Sequence, residues 1–423
     1  QHLIMPYIGN VLTSFAVETG NINDQAVTAP KLSATGGTDG QILALDSNLN
    51  LEWVSDPAGQ WITNGTTIYY DAGNVGINTG DDPTAKFQVD GADILIHGVA
   101  IGRGLGSVAT NTVVGNNALD ANTSGFHNTV VGDEALTNNT EGNRNTAVGT
   151  FALAANTTGD SNTAVGDGAL DSNTTADNNT AIGRDALYYN TTGTRNVAVG
   201  GFALDANTTA DDCTAVGYQA LTNNTTAHDN TAVGRHSLFN NTTGTTNTAI
   251  GKDASRQNTT ASNNTSVGYQ ALYSTTTGAQ NTAIGSLALD ANTTATSNVA
   301  VGYAALTSNT TGSVNTAVGS AALEQNTTGA RNLAVGYQAL KSVTTGNDNT
   351  GVGYEALEFC TGSQNTAFGS GALDGNTTAS NNTGVGYDAL GTNSTGTRNT
   401  AVGSLALDAN TTADRNTAVG YSA

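Results

Sequence analysis

The residues of this chain that could do chemistry are its aspartates, histidines and cysteines, and the aspartates recur at one place in a 17-residue repeat. Asp171, Asp205, Asp290 and Asp408 share a repeat position, so stacked repeats could bring their carboxylates together. Carboxylate oxygens are ligands that Ca²⁺ prefers. The Asp is irregular, however, and the nonapeptide signature of calcium-binding rolls is absent. The sequence therefore predicts no metal ion and no cofactor.

The histidines and cysteines form no catalytic or metal-binding pattern. HExxH is absent, and the five histidines are widely spaced: His2, His97, His127, His228 and His236. His228 and His236 lie at variable repeat positions, so we interpret them as surface residues. Cys213 and Cys360 stand where other repeats have Asn, many coils apart, which predicts two free thiols. With no phosphate-binding loop and no catalytic constellation, the chain is predicted not to be an enzyme.

These residues are carried by a repeat that opens with Asn, and 19 copies begin between Asn111 and Asn416. Position 4 of the repeat is Val, Ile or Phe, position 5 is Gly, position 8 is Ala and position 9 is Leu, with Asn-Thr-Thr usual at positions 12 to 14. Apolar residues do not recur at helical spacing. A propeller blade needs about 40 to 50 residues, so the period favours a solenoid.

The repeat predicts an all-β fold, a parallel β-solenoid with one short strand at "NTAVG" and a second through "AL". A coil would rise by about 4.8 Å, which gives a rod of roughly 90 Å. On this interpretation Val165→Asp damages assembly far more than Asp171→Ala. Three successive repeats illustrate the predicted core: Val165, Gly166, Ala169, Leu170, Ile182, Gly183, Leu187, Val199, Gly200 and Leu204.

Composition narrows the function classes. The net charge of −21, with 13 basic residues, argues against nucleic-acid binding and against docking on an anionic membrane. No apolar run is long enough to span a membrane, and no secretory signal is recognisable at the N-terminus. The small apolar side chains of one coil make a thin core against the entropy of ordering it. We therefore expect chains to associate around a long axis, most simply as a homotrimer.

The motif "NTAVGxxAL" resembles the repeat unit in the heads of YadA-like trimeric adhesins; Asn162 to Ala169 is one instance. The resemblance implies a left-handed parallel β-roll with three chains side by side. The unit of that family is shorter, and the extra residues of this repeat lie in its second turn.

The N-terminal quarter resembles tail fibre proteins of phages that infect marine bacteria and cyanobacteria. The resemblance rests on "MPYIGN" (residues 5–10), on residues 23–56 and on "GNVGINTGDDPTAKFQVDG" (residues 73–91). Such fibres often carry repeats like "CTAVGYQAL" (residues 213–221). The implied function is a structural tail fibre, a trimeric rod that links the virion to a distal receptor-binding tip.

Three regions follow from these similarities. Residues 1–58 are interpreted as a virion-attachment and linker region, 59–97 as a small β-rich collar, and 98–423 as the solenoid, with "GVAIG" (residues 98–102) as a degenerate first coil. Trp53, Trp61, Phe87 and Tyr69 are expected to pack in a core or between chains. The expected partners are two further copies of this chain, a virion tail or baseplate protein at the N-terminus, and a host surface receptor, expected to be a glycan.

Alternatives from other classes stay open. A trimeric cell-surface adhesin or extracellular filament would lie outside a cell, whereas the tail fibre would lie in the virion. The sequence stops within a repeat at Ala423, so we expect a distal tip, or a catalytic domain in the case of a fibre-borne depolymerase, to follow. A third reading is an ice-binding solenoid, against which Thr275, Val343 and Cys360 interrupt the regular Asn.

Overall fold

The computed structural model of the protein describes residues 41–45, 51–55, 62–64, 67–69, 94–96, 99–104 and 108–423. The described residues contain β-strands and no helix. The predictions for residues 1–40, for residues 73–91 and for Trp61 and Phe87 lie outside the described residues. The strands are β1 (Gln41–Leu45), β2 (Leu51–Ser55), β3 (Ile62–Asn64), β4 (Thr67–Tyr69), β5 (Ile94–Ile96), β6 (Val99–Gly102), β7 (Thr112–Gly115), β8 (Thr129–Val131), β9 (Thr146–Val148), β10 (Thr163–Val165), β11 (Thr180–Ile182), β12 (Val197–Val199), β13 (Thr214–Val216), β14 (Thr231–Val233), β15 (Thr248–Ile250), β16 (Thr265–Val267), β17 (Thr282–Ile284), β18 (Val299–Val301), β19 (Thr316–Val318), β20 (Leu333–Val335), β21 (Thr350–Val352), β22 (Thr366–Phe368), β23 (Thr383–Val385), β24 (Thr400–Val402) and β25 (Thr417–Val419).

The chain divides into two compact units, residues 1–88 and 89–423. In the first unit β1 pairs with β2, and β3 pairs with β4, both antiparallel. The second unit is a parallel β-solenoid of about 18 turns, in which each strand from β7 to β25 pairs with the strand one coil away. The predicted all-β parallel β-solenoid is confirmed for this unit.

Neighbouring strands pair so that equivalent repeat positions lie opposite each other. Thr163 pairs with Thr180, Ala164 with Ala181, and Val165 with Ile182. The repeat of residues 349–364 is one residue shorter than the other complete repeats. It does not interrupt the ladder, because Thr350 still pairs with Thr366. The parallel sheet is therefore continuous across this deletion.

The start of the ladder differs from the prediction. β6 lies in the segment predicted as a degenerate first coil, yet it pairs antiparallel with β7. Nine residues separate β6 from β7, whereas 13 separate β7 from β8, so the chain is too short to complete a coil there. β5, which the sequence placed in the collar, pairs antiparallel with β6 and extends the same sheet.

The predicted second strand, through the Ala of position 8 and the Leu of position 9, is wrong. Positions 6 to 11 form consecutive turns, in which Leu170 has φ of 54° and Asp185 has φ of 55°. This geometry points two successive side chains inward, so Ala169 and Leu170 are both fully buried. A strand, with its two-residue period, would have exposed one of them. Backbone hydrogen bonds still join neighbouring coils here, as from Leu170 N to Ala186 O at 3.0 Å.

The apolar half of the core is made by Ala at position 3, Ala at position 8 and Leu at position 9. The prediction that position 4 lies in the core is wrong: Val165 and Val199 are partly exposed, and Ile182 is 41% exposed. Position 3 points inward instead, and the interior there is narrow. A methyl group at Gly351 would lie 3.1 Å from Leu340 Cγ, so the leucine favours a small residue at position 3 in most coils. The first two coils have the larger Val113 and Val130 there, and both are buried. Of the other predicted core residues, Ala169, Leu170, Leu187 and Leu204 are buried, and Gly166, Gly183 and Gly200 are partly exposed.

Candidate interaction surfaces

Two ladders of asparagine side chains line the polar half of the interior. At position 1, Asn162 Nδ2 donates to Ala176 O at 2.8 Å, and its Oδ1 accepts from Asn179 N–H at 2.9 Å. At position 12, Asn173 Nδ2 donates to the same Ala176 oxygen at 3.1 Å and to Asn156 Oδ1 at 2.8 Å. Because buried polar groups need partners, these amides fix coil spacing from inside. They leave the outer surface to other positions.

The cysteines belong to these internal ladders, and both are buried free thiols, as predicted. Cys213 Sγ donates to Ala227 O at 3.2 Å, in place of an Asn amide. Cys360 Sγ accepts from Asn365 Nδ2 and Asn376 Nδ2, each at 3.4 Å. Burial raises the pKa of each thiol to about 11. Neither thiol is therefore poised as a nucleophile.

The outer side of the parallel sheet, which we call the strand face, carries Thr at position 2 and Val, Ile or Phe at position 4. Ile182, Ile250 and Ile284 are each 41% exposed, and Phe368 is 57% exposed. The same two residue types recur in register on every coil, apart from a few substitutions such as Val197 and Leu333. The result is a regular, uncharged and half-apolar stripe along the solenoid.

The turn after the strand carries a more varied surface, made by positions 6, 7, 10 and 11. His236, predicted to be a surface residue, is only 8% exposed. Its Nδ1 lies 3.4 Å from Asp253 Oδ1, and its ring packs against Phe239 at 5.3 Å. Burial lowers the pKa of His236, and Arg235 and Arg256 act in the same direction, although Asp253 opposes them. His228 is exposed, as expected.

Carboxylates gather on this turn around Asp171. Phe151, Asp167, Asp185 and Tyr188 line a shallow depression beside it. Burial raises the pKa of Asp171, while the hydrogen bond from Tyr188 opposes that shift. Among the described residues, no group of three or more His, Cys, Asp or Glu side chains is arranged to hold a metal ion.

A row of tyrosines stands at position 6 in the C-terminal half of the solenoid. We call this row the tyrosine ridge. Its members are 45% to 77% exposed. They are Tyr269, Tyr303, Tyr337, Tyr354, Tyr387 and Tyr421. No role was predicted for these residues, although the recurrence of Tyr at position 6 is visible in the sequence.

Comparison of the chain with protein-family models, with curated proteins and with solved structures gives no match. In the part of the chain that the structure describes, no helix is long and apolar enough to cross a membrane.

Proposed function

We propose that this chain is the structural shaft of a phage tail fibre, in which three copies associate through their strand faces. The observation that carries the proposal is the strand face: a regular uncharged stripe, with isoleucine side chains 41% exposed, along the whole parallel ladder. Exposed apolar patches of this extent mark association sites. The N-terminal similarity to marine phage fibres supports the assignment to a virion.

The size of the strand face supports self-association. A three-residue strand is about 10 Å wide and 18 coil spacings are about 85 Å long, so the stripe covers on the order of 850 Å². A partner in a standard interface contributes about 800 Å². Three identical stripes can meet around a threefold axis, and each would cover the others. The arrangement would follow the left-handed, side-by-side roll of the adhesin heads that the repeat resembles.

In this function the solenoid has a mechanical role. The N-terminal region of the chain would attach to a virion tail or baseplate protein. The stiff shaft would hold a receptor-binding tip away from the particle. No side chain of the solenoid performs a reaction; the asparagine ladders and the Ala and Leu core set the coil shape.

The first experiment is the mass of the native particle by light scattering, with negative-stain images of the same sample. A mass of three times 42.5 kDa on slender rods is expected. A monomer would overturn the trimeric shaft. Filaments of indefinite length would favour an extracellular fibre instead.

One observation favours ice binding as a second candidate. Thr275, Val343 and Cys360, the irregular positions that argued against it, are buried and do not disturb the outer surface. The Thr and Val array of the strand face is itself regular at about 4.8 Å along the axis. Ice binding needs this face to be uncovered. A monomeric protein that shows thermal hysteresis would therefore favour ice binding over the shaft function.

A further inference from the structure

The tyrosine ridge has a spacing of its own. It consists of two sets of three, Tyr269, Tyr303 and Tyr337, then Tyr354, Tyr387 and Tyr421, with one tyrosine on every second coil of each set. Because the strands stay in register, two coils correspond to about 10 Å. Where the two sets meet, the rings of Tyr337 and Tyr354 stack with centroids 5.4 Å apart, so each ring covers one face of the other.

The coils between the tyrosines carry serine at the same position. Ser286 and Ser320 separate the tyrosines of the first set, and Ser370 and Ser404 separate those of the second. These serines are partly exposed, whereas the tyrosines are exposed. The surface therefore alternates between a projecting aromatic ring and a short hydroxyl side chain.

We propose that the tyrosine ridge binds an extended, neutral β-1,4-linked polysaccharide. The negative face of an aromatic ring attracts the polarised C–H groups on the face of a pyranose ring. Each β-1,4-linked sugar is turned over relative to the one before and advances the chain by roughly 5 Å, close to the rise of one coil, ~4.8 Å. Every second sugar therefore presents the same face at the two-coil spacing of the tyrosines.

The charge around the ridge selects a neutral chain. Glu355, Glu358 and Asp388 lie beside the tyrosines of the second set, and the whole protein carries a net charge of −21. An anionic polysaccharide would be repelled. Gln270 and Gln338, which directly follow two ridge tyrosines, supply amide donors and acceptors suited to sugar hydroxyls.

The ridge suits a glycan better than a further copy of this chain. The strand face repeats the same residues on nearly every coil, as a subunit contact along a rod would need, whereas the alternation of Tyr and Ser is found only in coils from residue 264 onward. Tyr218 holds the same position three coils before the ridge and is 48% exposed, but it has no alternating partners. The ridge begins after the glycine at position 5, where the chain leaves the strand face. Binding there goes beyond the proposed shaft function and does not require the trimer.

The test is titration calorimetry of the full chain with cellohexaose, cellobiose and maltohexaose. Three tyrosines on alternate coils span five sugars, so each set should hold one hexasaccharide, two per chain. Cellobiose reaches a single ring and should bind at least tenfold more weakly, because linked contacts act together. Maltohexaose, whose α-linkages curve the chain, should not bind.

Tyrosine variants test the site through the number of hexasaccharides bound per chain. Tyr269→Ala, Tyr303→Ala and Tyr337→Ala together should lower it from two hexasaccharides to one, and alanine at the other three tyrosines as well should lower it to zero. Phe151→Ala with Tyr189→Ala removes aromatics of similar exposure, 42% and 56%, and should leave it at two.

Three results would overturn the proposal: no binding of cellohexaose, an unchanged stoichiometry in the triple variant, or a fall in particle mass in that variant, which would make the ridge a subunit contact. Monomeric wild-type protein that binds cellohexaose would instead refute the trimeric shaft and leave the glycan site standing.

Discussion

Gly200, at position 5 of its repeat, has φ of 133°, a conformation that L side chains rarely adopt. A methyl group there would lie 2.6 Å from Gly217 O on the next coil. The next residue, Gly201, is different: a methyl there would be no closer than 3.7 Å to its neighbours. Two adjacent glycines thus have different reasons to be glycine, and only the first is required by the coil.

Gly200→Ala is therefore expected to destabilise the solenoid by about 1–3 kcal/mol from backbone strain alone, with a further cost for the contact with Gly217. Gly201→Ala, the matched control, should change stability by less than about 0.5 kcal/mol. Chemical denaturation followed by circular dichroism compares the two. Equal midpoints would mean that position 5 does not have the left-handed geometry described.

Asp205 carries a second residue-scale prediction. Burial raises its pKa to about 6, Asp185 adds to the shift, and backbone N–H groups of Ala206 and Asp205 oppose it. Burial also raises the pKa of Asp374 to about 6, with Glu358 contributing. Since both pKa values lie above the unfolded value, the folded state binds more protons between about pH 4 and pH 6. Their contribution to stability is present below that window and is lost as the pH rises through 6.

The melting temperature should accordingly be higher at pH 5 than at pH 7.5, and Asp205→Asn with Asp374→Asn should flatten that difference. Asp348→Asn is the control, because its hydrogen bond from Arg331 lowers the pKa of Asp348 and places its effect below pH 4. A pH response that persists in the double variant would assign it to other carboxylates.

At the scale of the element, one coil boundary departs from the rest. Ser255 replaces Leu at position 9, and Ser266 replaces Ala at position 3 of the next coil; both are buried. Their Oγ atoms lie 2.9 Å apart and form a hydrogen bond. One apolar core cluster ends at Ala254 and the other begins at Ala271, so this serine layer divides the core.

Ser266→Ala alone should destabilise the layer by about 1–3 kcal/mol, because it removes the partner of a buried hydroxyl. The double variant Ser255→Leu with Ser266→Ala has the same residues at these two positions as most other coils. It should stabilise the layer by about 1.5–3 kcal/mol, because it buries more apolar surface. Hydrogen exchange of amides 248–271 reports the local opening free energy. If both variants change the exchange rates of these amides in the same direction, the serine pair is not the cause of a weak layer.

The sequence predicts the coil period, the parallel register and the buried leucine, because these follow from strict spacing. It places position 4 in the core, which is wrong. Hydrophobicity alone favours Val165 over Ala164 as the buried residue. The choice is reversed by the narrow interior at position 3, where the leucine of the preceding coil lies close, as Leu340 does to Gly351. Left-handed backbone at Leu170, which turns the expected second strand into a series of turns, is equally unreadable from residue type, since bulky side chains seldom adopt it.

The surface residues also differ in how well the sequence predicts them. Regular positions could be found by period, whereas His236 is buried by contacts with Phe239 and Asp253 that no spacing rule anticipates. Tyrosines 33 or 34 residues apart in sequence lie two coils apart along one edge, with a single coil between them, only because the ladder stays in register.

At the scale of the whole molecule, the exposed strand face changes what a charged substitution should do. The sequence predicted that Val165→Asp would damage the stacked core, but Val165 is partly exposed. A charge at position 4 should therefore impair association between chains and leave the coil intact. Ile182→Glu, Ile250→Glu and Ile284→Glu together place three charges on the stripe, on coils far enough apart to avoid direct repulsion.

This variant is expected to sediment as a monomer with an unchanged β circular dichroism spectrum. Thr175→Glu, Thr243→Glu and Thr277→Glu, at exposed position 14, supply the same charge away from the stripe and should leave the trimer intact. Loss of β structure in the isoleucine variant would show instead that position 4 supports the coil itself. A trimer that survives the change would place the interface elsewhere.

The serine layer has a mechanical consequence. Hydrogen bonds between coils run along the solenoid axis, so a pull on its two ends loads every coil boundary in series rather than in parallel. A chain of links in series parts at its weakest link, however strong the others are. The boundary at Ser255 and Ser266, where two hydroxyls replace a leucine and an alanine, would give way first. In the proposed shaft the serine layers of the three chains would share one level, so the fibre would have a fixed fracture plane and its tensile strength would depend on those serine hydroxyls.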